Sequence, residues 1–241
     1  MKNKTLYYIS TPIFVAAELA TLLCMLFAPH SEYSLYAAIT VAFLYALLFN
    51  STNAKVMIMQ IALLFTLAAN TFLVGVTTQV QWFAISALFI CQTLYFARLL
   101  LELKSTKWIA DNIAIRIILV AAAITSAVVL LKNKCDYVSI ILLAYYVSIV
   151  HNAVLAFCMF KKSPMLAIGL LLLLFSQTIT GLNIAIGTYI NVPESSILYI
   201  ISHTSFNLAW ALYIPSQTFI ALSVVDATKE KKNEDRTKEA K

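Results

Sequence analysis

The feature that most constrains this chain is a succession of long, continuous apolar runs joined by short polar links. Eight runs, about 6–28, 33–51, 55–76, 80–101, 109–131, 137–160, 165–187 and 197–225, can be marked out. Each approaches the roughly 20 residues a helix needs to cross the hydrocarbon of a bilayer. The runs are unbroken, not alternating, which excludes a β-barrel. With 61% hydrophobic and only 12% charged residues, the chain has too little charge to cover a soluble surface. The predicted fold is all-α: a polytopic membrane helix bundle of about eight transmembrane helices over 1–225, followed by a charged tail over 226–241. Links such as Ser51 to Ala54 and Lys161 to Pro164 are short. They make successive helices antiparallel and leave no room for a soluble catalytic domain.

Charge sets orientation. With the N-terminus inside, the inner segments carry Lys2, Lys4, Lys55, Arg98, Lys104, Lys107, Lys161, Lys162 and the basic residues of the tail, whereas the outer loops carry only Lys132 and Lys134. This bias places both termini in the cytoplasm. The net charge of +6 is therefore topological and lipid-facing, and no nucleic-acid partner is implied. The tail from Asp226 reads as a solvated orientation anchor continuing the last helix. Cys24, Cys91, Cys135 and Cys158 are scattered without metal-ligand spacing and read as small apolar fillers. No metal or cofactor is expected. The opening MKNKTLYYIS resembles a signal-peptide start, but the apolar run after it is long and lacks a small-x-small cleavage site, so it reads as the first span. An Ile-, Lys- and Asn-rich chain with no sorting signal points to a bacterial plasma membrane.

Polar residues inside the spans single out two hairpins, 61–101 and 165–225. Each plants an amide in its first helix, Asn70 and Gln177, and a Gln-Thr pair in its second, Gln92-Thr93 and Gln217-Thr218. Amides are costly in hydrocarbon, so they should face the protein interior. Helical spacing puts Thr66, Asn70 and Thr77 on one face, Gln92 near Tyr95, Ser176, Thr180 and Asn183 on another, and His203, Asn207, Trp210 and Gln217 on a fourth. Each stripe has a plain reading as a hydrogen-bonded helix contact. Their grouping in two matching hairpins suggests a shared pocket. Pro215 should kink the last span and free the carbonyl of Ala211.

Two charges lie deep. Glu18 is roughly 16 Å into the first span and Arg116 roughly 10 Å into the fifth, at the helical rise per residue. They read as a buried pair, as an Arg116 that snorkels inward, or as an Arg116 that holds a ligand phosphate. His151 and His203 have no metal-ligand spacing and read as hydrogen-bonded interior residues, and His30 as a surface residue.

Leu64-Phe65-Thr66 leading to Asn70, Ser176-Gln177 leading to Gly181 and Asn183, and the ending Tyr213-Ile214-Pro215-Ser216-Gln217-Thr218-Phe219-Ile220-Ala221-Leu222-Ser223 together carry a resemblance. From about Ile61 onward the chain resembles the lysoplasmalogenase-like membrane family (the YhhN group). The resemblance implies a bundle of about eight helices and a lipid-sized pocket. Family members of known activity cleave the vinyl-ether bond of lysoplasmalogens, which needs an acid at the alkenyl carbon and a base for water. In this chain Asn70 and Gln177 occupy both family carboxylate positions, and Gln92 stands where a His is expected. An amide keeps shape and hydrogen bonding but transfers no proton.

The expected function is binding of a single-chain (lyso or ether) phospholipid by Asn70, Gln92, Tyr95, Arg116, Gln177, Asn183 and Gln217, with membrane lipids as partners. Two alternatives stand beside it. One is a hydrolase using Glu18, His151 or His203 as acid or base; the other is a small transporter or channel component, which the echo of one hairpin in the other suits.

Overall fold

A computed structural model describes residues 2–27, 31–49, 52–75, 81–103, 105–131, 135–188, 192–193, 195–202 and 208–239. The described residues form helices α1 (Lys2–Phe27), α2 (Ser31–Leu47), α3 (Ala54–Gly75), α4 (Gln81–Leu100), α5 (Thr106–Leu131), α6 (Tyr137–Cys158), α7 (Pro164–Thr188), α8 (Ile197–Ser202) and α9 (Leu208–Glu239), with no strand among them. Seven of them, all but α2 and α8, are long and apolar enough to cross a membrane. The protein is a multi-pass helical membrane bundle.

Local chemistry sets several helix ends. Asn53 caps α3, its Oδ1 accepting the Lys55 N–H at 3.0 Å. Asp136 caps α6 in the same way through the Ser139 N–H at 2.7 Å. Pro164 opens α7, at the position where a missing N–H costs nothing.

The second expected span is shorter than 33–51. Helix α2 stops at Leu47, and Gln60 of α3 donates to the carbonyls of Ala46 and Phe49, both at 3.0 Å. These bonds satisfy C-terminal acceptors that a longer helix would have satisfied itself. At 17 residues α2 rises about 26 Å, less than a typical hydrocarbon core.

The last expected span, 197–225, also differs. It comprises α8 and the start of α9, with 203–207 between them outside the described residues. Helix α9 then runs on through the charged tail to Glu239, about 48 Å in all. His30, Thr77, His203 and Asn207 all lie outside the described residues.

Chain neighbours pack side by side through α4, and again from α5 to α7; α4 also meets α6 directly. Helix α9 closes the arrangement, touching α1, α2, α3 and α7. The most extensive pairings are α7 with α9 and α3 with α4. Helix α5 lies outermost on α6, with Ile113, Ile117, Ile118 and Val129 on its open face, as suits a lipid-facing helix.

The α7–α9 approach depends on Gly169. A Cβ there would meet Ile220 Cγ1 at 2.7 Å, Ile220 N at 2.9 Å and Ser216 O at 3.0 Å. Two of those atoms are backbone, so a side chain could be admitted only by moving the helices apart. The core that results joins Ile39, Met59, Leu63, Leu99, Leu170 and Ile214 across the bundle.

Candidate functional site

Two polar groups sit inside this apolar core. The first lies where α4, α5 and α6 meet. Asn152, fully buried on α6, donates through Nδ2 to Gln92 O at 2.8 Å and to Gln92 Oε1 at 3.0 Å. Its Oδ1 accepts Arg116 Nη1 at 2.9 Å. Arg116 lies over the Phe96 ring, 4.6 Å from its centroid, a favourable cation–π placement. The His151 ring lies against Phe96 as well, 5.3 Å centroid to centroid. Arg116 Nη2 and His151 Nδ1 are both buried and have no protein partner.

Among the described residues, no carboxylate answers Arg116. Glu18 is only 3% exposed, yet neither of its oxygens has a partner, and Arg116 spends its one protein bond on Asn152. The two are not a pair. A guanidinium stays charged, so this is an intramembrane cation with no counter-charge among the described residues.

The second group lies among α3, α4, α6 and α9. Asn70 donates to Thr66 O at 2.8 Å and to the Tyr213 hydroxyl at 3.2 Å. The Thr66 hydroxyl meets Cys91 Sγ at 3.1 Å. Tyr95 and Tyr145 are buried beside them, and the Tyr95 hydroxyl has no partner.

The expected site residues therefore separate. Asn70 and Tyr95 belong to one buried group and Gln92 and Arg116 to the other, joined through the shared helix α4. Gln217 is buried on α9, its Nε2 on Ser216 Oγ at 3.4 Å and its Oε1 without a donor. Gln177 is only half-buried, and Asn183 is exposed. On α7 it is Ser176 that turns inward, donating to Ala209 O at 2.7 Å. Thus the α7 stripe rotates from buried at Ser176 to exposed at Asn183 and does not run along one inner face. All four cysteines are free.

Sequence reasoning missed Asn152, Phe96 and a third feature. Arg98 is fully buried, with Nη1 on Glu102 Oε1, while Lys55 Nζ meets Glu102 Oε2 at 2.8 Å. Lys162 Nζ donates to Glu102 O at 2.9 Å, and Arg98 Nη2 reaches Ser163 Oγ at 3.5 Å. The four-residue step from Arg98 to Glu102 on one helix face was the available signal. Arg98 reads in sequence as an orienting charge, but it is an internal ion-pair residue.

Comparison with protein-family models, with curated proteins and with solved structures finds no match.

Proposed function

We propose that this membrane bundle binds a single-chain phospholipid, as its resemblance to the lysoplasmalogenase-like family implies, with Arg116 meeting the phosphate. The observation that carries the reading is the Arg116 guanidinium: buried, held by Asn152 and Phe96, opposed by no carboxylate among the described residues, and with Nη2 unpartnered. A phosphate supplies both the missing charge and the missing acceptor, and a guanidinium suits it geometrically. His151 Nδ1, next to the same ring, offers a second polar contact.

The vinyl-ether reaction of the family is not part of this proposal. Asn70 and Gln177 carry no transferable proton near neutral pH, and Asn70 is committed to Thr66 and Tyr213. Native mass spectrometry of the purified chain with added lysophospholipid tests the reading. The wild type should retain the lipid, and Arg116→Ala should lose it, by about tenfold or more in apparent affinity for one charge-assisted contact. Equal retention by both proteins would overturn it.

A further inference from the structure

A separate buried group is used by none of the above. Glu18 sits near the middle of α1, with both carboxyl oxygens buried and without a protein donor. Helix α1 packs on α2 and α9. The Thr218 hydroxyl of α9 stands against the carboxyl, but it gives its hydrogen to Ile214 O at 3.0 Å. Thr21, one turn along α1, donates to the Glu18 backbone carbonyl at 2.8 Å and not to the side chain.

Helix α9 brings to the carboxyl a Thr218 hydroxyl whose hydrogen is already spent. Pro215 has no N–H to give the carbonyl of Ala211. Ala211 and Thr218, seven residues apart, share a helix face.

Other titratable side chains on these helices are placed elsewhere. Tyr7 meets Lys229 at 3.3 Å, Tyr45 meets Thr11 at 2.8 Å, and Tyr213 meets Asn70. Cys24 and Tyr33 are exposed, Tyr36 lies at the start of α2, and Asp226 is two turns beyond Thr218. No cationic side chain among the described residues pairs with Glu18.

We propose that Glu18 and the Thr218 face of α9 form an intramembrane binding site for a proton or a small monovalent cation. The chemistry is common to both occupants. An ionised carboxylate with no donor in an apolar interior is strongly disfavoured, so the site is stable only when it binds a positive species. A proton converts one oxygen into the donor that the region lacks. A small cation would instead be shared between the carboxylate and the Thr218 hydroxyl oxygen.

Dicyclohexylcarbodiimide tests this on the full-length wild-type chain in detergent. The protonated carboxyl adds across a C=N bond of the reagent, its oxygen joining carbon and its proton passing to nitrogen. The adduct then rearranges to a stable N-acylurea with nothing lost. Peptide mass spectrometry should find the adduct on Glu18, and not in Glu18→Gln. Labelling should fall about tenfold per pH unit above the pH at which the group loses its proton. If sodium chloride slows labelling where choline chloride does not, the occupant includes the metal cation; if it does not, the occupant is the proton. Absence of adduct at every pH would overturn the proposal. So would labelling independent of pH, which would mark a permanently neutral acid that exchanges with nothing.

Discussion

Glu102→Ala is expected to destabilise the bundle by about 3–5 kcal/mol, the usual cost of removing one partner from a buried ion pair. Glu102 answers two cations at once, Arg98 on its own helix and Lys55 on α3, and its backbone carbonyl holds Lys162. Without the carboxylate, the fully buried Arg98 keeps only Ser163 at 3.5 Å. Reversible unfolding in mixed detergent would measure the loss. Glu102→Gln, which keeps the shape but not the charge, should fall between the two proteins.

The same cluster should be acid-sensitive. Burial pushes the Glu102 carboxyl up, but Arg98 and Lys55 more than offset it and hold it below its ordinary range. A lowered folded value means that its stabilisation is present in full above the ordinary carboxylate pKa and is lost as pH falls through the lowered one. The wild type should therefore lose stability in that acid window, and Glu102→Gln should not.

Asn152→Leu is expected to cost about 3 kcal/mol or more, because it leaves two buried polar groups without partners and one of them is charged. Gln92 Oε1 loses its donor, and Arg116 Nη1 loses its acceptor. Leucine keeps the branching of asparagine but is bulkier, so Asn152→Ala, which adds no bulk, should show the same loss of partners. The variant should also weaken lysophospholipid binding although Arg116 remains, since Asn152 fixes the guanidinium in place. A folded Asn152→Leu with unchanged stability would show that the α4–α5–α6 group is not a connected network.

Much of this was legible in the chain. A polar residue inside an apolar run must turn inward or remain unsatisfied, which is why Asn70, Gln92, Tyr95, Arg116 and Gln217 are all buried. Helix periodicity puts Gln92 and Tyr95 near each other on α4, but each joins a different buried group.

What periodicity lacks is the partner helix. Asn183 satisfies the same spacing as Ser176 and is exposed, because α7 packs on α9 along the row marked by Gly169 and Ser176 and turns away beyond it. The end of α2 depends on Gln60, a residue of the following helix. Arg98 lies so close to the end of its span that sequence alone could not tell an orienting charge from a buried one. In each of these cases a contact between helices decides, and no single helix carries that information.

The central claim is that Arg116 reads a phosphate, and lipid discrimination measures it most directly. Equilibrium binding of a lysophospholipid should be compared with that of a monoacylglycerol of the same chain length, for the wild type and for Arg116→Ala. The wild type should favour the phospholipid by about tenfold or more, about 1.4 kcal/mol, and the preference should vanish in the variant. Equal binding of the two lipids by the wild type, or a preference that survives in Arg116→Ala, would contradict the claim.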